Sequence, residues 1–167
     1  MQEKMILYTS NAGHAEAYAQ LLSKELGLPC FRLGTEKVER GAKVIFLGWL
    51  MAGSVSGLKK ALSLYEVTTI AIVGMAAFDE KNEKEVVEKY HLATNQKVFY
   101  LQGGFEMDKL KGLYKFMMGI MKKTVGKSLK KKADKTPEEQ DMLDMLLNGR
   151  SCVKKENLSS LIAWVTR

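Results

Sequence analysis

The chain has 167 residues, a formal net charge of +7 and an apolar share of 46%. That is enough for one domain with a sizeable core and an ordinary globular balance, and no apolar run approaches the roughly 20 residues of a bilayer-spanning helix. The opening Met1-Gln2-Glu3-Lys4 has no signal-peptide layout, and Cys30 and Cys152 form no metal-type cluster, so a cytoplasmic protein with reduced thiols is expected.

A first strand is expected over 4–9. It ends in the loop Thr9-Ser10-Asn11-Ala12-Gly13-His14-Ala15, which feeds a helix over 14–26. In that helix Ala15, Tyr18, Ala19, Leu22 and Leu26 recur at helical spacing, and Gly27 ends it. Pro29 to Leu33 reads as a short second strand. The polar stretch 34–42 holds at most one helical turn. Val44-Ile45-Phe46-Leu47, stopped by Gly48, suits a central parallel strand buried on both faces. A helix over 55–65 follows, with Val55, Leu58, Leu62 and Tyr65 on one side. Thr69 to Val73 is another buried strand, stopped by Gly74. Residues 82–92 form a charged amphipathic helix, and Val98 to Leu101 a last strand before Gly103-Gly104.

Beyond that strand, Met107 to Lys123 carries a long helical pattern. Leu110, Leu113, Tyr114, Phe116, Met117, Met118, Ile120 and Met121 span a wide apolar arc opposite Lys111, Lys115 and Lys122. A basic tract reaches Lys132. Thr136-Pro137-Glu138-Glu139 is a capping-box start with proline at the first helical position, for a helix ending at Leu147. The last helix starts near Asn157 and turns Leu158, Leu161, Ile162 and Val165 inward.

Alternating strands and helices imply an α/β fold with a parallel sheet covered on both faces. Right-handed crossovers leave few topologies, and five strands in the order 2-1-3-4-5 is the expected one. The whole of 1–167 reads as one domain, with 105–150 a helical insertion after strand five. In such sheets ligands lie outside the strands' carboxyl ends, at the switch point between strands 1 and 3. The loops at Gly48, Gly74 and Gly103 share that edge with the Thr9 loop. Their glycines either admit a flat ring or merely end the strands.

The 9–15 loop carries the strongest chemical signal. Hydroxyls and unpaired backbone N–H groups meet the positive end of a helix there, which suits a phosphate. The pattern is neither G-x-G-x-x-G nor a P-loop. It resembles the phosphate loop of flavodoxins, which holds the phosphate of FMN. The fold implied is a flavodoxin-like three-layer sandwich. On this resemblance FMN lies on Thr9, Ser10, Asn11, Ala12, Gly13, His14 and Ala15. Its ring lies between Gly48-Trp49-Leu50-Met51-Ala52-Gly53 and Gly74-Met75-Ala76, close to Gly103 and Gly104. Trp49 stands where flavodoxins place a ring beside the isoalloxazine; packing against the first or last helix is the other reading. His14 either bonds the phosphate or faces solvent at the helix start. No catalytic side chain and no metal ligand is expected, because His14 and His91 are the chain's only histidines.

Leu101-Gln102-Gly103-Gly104-Phe105, followed by the Tyr114-Lys115-Phe116-Met117 to Met121-Lys122-Lys123 helix, resembles the flavodoxin-like protoporphyrinogen oxidases. That likeness implies an FMN-dependent oxidoreductase or electron-transfer protein with a protein or quinone redox partner. Where flavodoxins carry a hydroxyl residue, this chain has Ala15. That departure favours a second reading, a flavodoxin-fold binding module without flavin. Flavodoxins are typically acidic, whereas Lys122, Lys123, Lys127, Lys130, Lys131 and Lys132 crowd together here. Residues 107–132 therefore either lie on an anionic membrane or cover one face of the sheet with their lysines in water. No nucleic-acid partner is expected.

Overall fold

Four apolar runs lie side by side as parallel strands in the computed structural model, which describes residues 5–35 and 39–167. The chain runs β1 (Met5–Tyr8), α1 (His14–Leu26), β2 (Cys30–Arg32), β3 (Lys43–Met51), β4 (Ser54–Val55), α2 (Leu58–Leu64), β5 (Glu66–Gly74) and α3 (Glu80–Tyr90). It continues through β6 (Lys97–Gln102), β7 (Gly104–Phe105), α4 (Gly112–Lys131), α5 (Pro137–Asn148), β8 (Arg150–Ser151) and α6 (Ser159–Val165). Lys4 and residues 36–38, on which part of the first expected strand and of the possible helical turn fall, lie outside the described residues.

The main sheet has the order β2-β1-β3-β5-β6, all parallel, with β4 added to β3 as an antiparallel stub. This is the 2-1-3-4-5 order of a flavodoxin-like three-layer sandwich. Alternate residues of the strands feed opposite faces. Leu7, Phe46, Ile70 and Ile72 pack with Leu58 and Ala61 of α2 and Val86 of α3. Ile6, Ile45, Leu47, Ala71 and Leu101 pack with Tyr18 and Leu22 of α1 and Leu161 of α6. Both faces are dry, which is why the central strands read as continuous apolar runs.

Three local expectations are corrected. Gly48 does not stop β3, which continues to Met51 and folds back through Ala52-Gly53 into β4. Both turn residues have positive φ, 47° and 70°, as a two-residue hairpin turn with the right twist demands. Glycine at 48 is needed because a Cβ there would sit 2.5 Å from Val55 Cγ1 and 2.8 Å from the Ser56 carbonyl. The helix expected at 55–65 therefore begins only at Leu58.

The pattern from Met107 is also divided differently. Met107–Lys109 is a single 3-10 turn, and α4 then runs unbroken through the basic tract to Lys131. It does not cover the sheet. It packs on α5, where Met118, Met121 and Leu129 meet Phe105, Met145 and Leu146 in a separate small core. The capping box of α5 forms as expected, with Thr136 and Glu139 each bonded to the other's backbone N–H. The insertion is closed by a two-stranded antiparallel pair, β7 with β8, invisible in the sequence.

Candidate functional site

At the carboxyl ends of β1, β3, β5 and β6 the chain leaves a small, half-open cleft with a cavity volume of about 90 Å³. That is below the roughly 300–1,000 Å³ of small-molecule pockets, so a ligand of cofactor size enters only as the walls move apart. One end is built from the β1–α1 loop, with Ser10, Asn11, Ala12, His14 and Ala15 on its surface. The remainder is largely apolar apart from the Glu106 carboxylate: Trp49, Leu50 and Met51 from the end of β3, Val73, Gly74 and Met75 from the end of β5 and just after it, and Gly103 to Glu106 beyond β6. The insertion supplies the far wall through Leu110, Tyr114 and Met118.

The loop end is organised by short hydrogen bonds. Ser10 Oγ accepts from the Gly13 N–H at 3.0 Å, and Gly13, with φ of 97°, turns the chain into α1. Among the described residues no side chain caps α1, so its first-turn N–H groups keep their donor capacity and positive potential. Asn11 Oδ1 accepts from the Lys111 N–H at 3.1 Å, tying this loop to the insertion. Arg32 adds a cation nearby, its Nη1 lying 3.4 Å from the Ser10 carbonyl.

His14 does not face solvent. Its Nε2 is 2.8 Å from Glu106 Oε2, and the two side chains are 13% and 23% exposed. Lys109 Nζ holds the same carboxylate at 3.0 Å. Burial resists ionisation of Glu106 more than any other single influence. The hydrogen bonds and charges of Lys109 and His14 together outweigh it, and hold the carboxyl below its ordinary range. Glu106 was missed in the sequence, because a pair linking residues 92 positions apart leaves no local pattern.

This arrangement sets a pH dependence. A depressed folded-state value means the clasp stabilises the protein above the usual carboxyl value of 4.5 and is lost as pH falls through the folded value. The wild type should therefore be more stable than Glu106→Gln near neutrality, and the gap should close as pH drops below about 4. Thermal melts of both proteins across that range check this; a gap that is flat with pH would remove the carboxylate from the account.

At the apolar end Trp49 meets Tyr114 edge-on, with ring centroids 4.5 Å apart and planes at 90°. Trp49 thus packs on the insertion rather than on the first or last helix. The cleft gathers Ser10, Asn11, Ala12, His14, Ala15, Trp49, Leu50, Met51, Gly74, Met75, Gly103 and Gly104.

The other sequence candidates lie elsewhere. Thr9 gives its hydroxyl proton to the Ser56 carbonyl at 2.6 Å, which fastens β1 to the segment after β4. Gly13 makes the turn, and Gly48, Ala52 and Gly53 build the hairpin. Ala76 accepts from Tyr100 Oη at 2.8 Å on the neighbouring surface. Gly74 and Gly103 border the cleft, but a Cβ at either would first meet protein: Tyr100 for Gly74, Val73 and His14 for Gly103.

No known family model, curated protein or solved structure matches the chain. Among the described residues no group of three metal-ligating side chains occurs, and no helix is long and apolar enough to cross a membrane.

Proposed function

We propose that the cleft binds FMN and that the protein is a flavodoxin-domain oxidoreductase or electron-transfer protein. The carrying observation is the pairing of an uncapped helix start and Ser10 at one end with an aromatic, apolar trough at the other, across the sheet's switch point. The residues present fit the group in kind. A phosphate needs N–H and hydroxyl donors with positive potential, which the 10–15 loop offers. A flavin ring needs flat apolar walls, which Trp49, Leu50, Met75 and Tyr114 offer.

When bound, FMN would supply one-electron or hydride chemistry. The chain's own residues bind and shield. Ser10 and the first turn of α1 hold the phosphate, Asn11 fixes the loop to the insertion, and the Trp49–Tyr114 pair keeps water from the apolar end. The likeness to the protoporphyrinogen oxidases favours a quinone or a redox protein as the electron partner, with residues 107–132 touching a membrane.

A specific observation favours the second reading, a binding module of the same fold without flavin. Thr9 has given its hydroxyl to Ser56, and the closing position is Ala15, 1% exposed and without a donor. The phosphate would then depend on Ser10 and the backbone.

Titration of the apoprotein with FMN and riboflavin separates the readings. If the loop holds the phosphate, FMN should bind about 10- to 100-fold tighter than riboflavin, since a charge-assisted bond contributes about 1.5–3 kcal/mol. Ser10→Ala should weaken FMN and leave riboflavin unchanged. Equal, weak binding of both ligands would sink the flavin reading.

A further inference from the structure

The insertion leaves part of its own surface uncovered. On α4, Leu113 is 69% exposed, Phe116 67%, Ile120 50% and Met117 44%. At spacings of three, four and seven residues these four lie on one helix face. Farther along the same helix stand Lys123, Lys127, Lys130 and Lys131, all exposed. The helix holds six lysines and no carboxylate, and among the described residues none of the six is ion-paired. It is apolar in its first half and cationic in its second. The adjoining flank, through Tyr114 and Met118, lines the cleft.

A cluster of large exposed apolar side chains marks an interaction surface. Its charge selects the occupant. An uncompensated run of lysines beside apolar side chains matches an anionic lipid surface, where lysines sit at the headgroups and aromatic and aliphatic groups enter the acyl boundary. The helix lies on such a surface rather than through it, because no helix among the described residues is long and apolar enough to cross.

We propose that α4 seats the protein on anionic bilayers, with Leu113, Phe116 and Ile120 dipping into the interface and the second half of the helix on the headgroups. In this pose the wall of the cleft formed by Tyr114 rests at the lipid boundary, so the cleft exchanges electrons or ligand with an apolar molecule dissolved in the bilayer. Only that last clause rests on the redox reading of the cleft; the seating itself does not need a flavin.

The test is sedimentation with vesicles of phosphatidylcholine, alone or with phosphatidylglycerol, using protein with and without added FMN. Binding should need the anionic lipid and fade between about 0.1 M and 1 M salt, as the screening length falls from about 10 to 3 Å. Replacing Lys123, Lys127 and Lys130 together by Gln should lower partitioning roughly 150-fold, at about a factor of five to six per lysine. Replacing Leu113, Phe116 and Ile120 together by Ser should lower it at least tenfold. These side chains are exposed, so unchanged melting temperatures identify any loss as one of binding. A wild-type protein that stays in the supernatant with both lipids, or that is indifferent to both triple replacements, overturns the proposal and leaves the face to an acidic protein. A protein that fails to bind FMN but still sediments overturns only the flavin reading.

Discussion

Gly104→Ala is expected to lower stability by about 3 kcal/mol or more. Gly104 sits at φ of 96°, where a residue with a Cβ pays about 1–2 kcal/mol in backbone strain. The new Cβ would also overlap the Arg150 carbonyl and approach the Cys152 nitrogen to 3.0 Å. These are backbone atoms of β8 and the residue that follows, so relief requires the β7–β8 pair to open, at about 1–3 kcal/mol for overpacking of this kind. For a chain of this length the melting temperature should fall by roughly 6–12 °C. Because Phe105 and Glu106 follow immediately, the cleft wall should loosen as well, visible as a change in Trp49 fluorescence. A variant that melts within a degree or two of the wild type would show that β7 and β8 do not close the insertion.

Tyr18→Phe should cost about 2 kcal/mol, although it removes a single oxygen. Tyr18 is fully buried on α1. Its hydroxyl donates to the Gln102 carbonyl at 2.6 Å, lies 3.2 Å from the Cys152 carbonyl and accepts from Asn157 Nδ2. One atom therefore joins α1, the end of β6, the segment after β8 and the turn before α6. Burial also pushes the phenol above its ordinary value, so the hydroxyl keeps its proton at any physiological pH. With phenylalanine the Gln102 carbonyl loses its donor and Asn157 keeps only its 3.0 Å bond to Cys152. A buried group left without its partner costs about 1–3 kcal/mol. Chemical denaturation gives the value directly, and a change under about 0.5 kcal/mol would mean that water replaces the hydroxyl.

The sequence was most legible where local signals and burial agree. Val44 to Leu47 and Thr69 to Val73 read as buried strands because they are dry on both faces, and Val98 to Leu101 because only Phe99 of that edge strand is partly exposed. Thr136 and Pro137 announce α5 through cap chemistry that needs no tertiary partner. The β1–α1 loop was visible as a turn with hydroxyls, although nothing local reveals that Thr9 is already committed to Ser56. The failures share a physical cause. The β3–β4 turn uses Ala52-Gly53, which lacks the asparagine or aspartate that usually marks such hairpins. Two-residue strands such as β7 and β8 are too short to show a period. For α4, spacing revealed an apolar arc but not which part of it is covered. That depends on α5, which takes Met118, Met121 and Leu129 and leaves Leu113, Phe116 and Ile120 bare.

The closure of the insertion by Gly104–Ser151 and Phe105–Arg150 has an architectural consequence. The chain leaves the sheet and returns to it at neighbouring points, so everything between is a lobe plugged into a socket. A lobe of another length or composition, with its ends equally close, could occupy the same socket without rethreading any strand, since the entropic cost of closing a loop grows only slowly with its length. The socket keeps the β1–α1 loop, and the lobe carries the Leu110, Tyr114 and Met118 wall of the same cleft. The two sides of that cleft are thus written in separable parts of one chain.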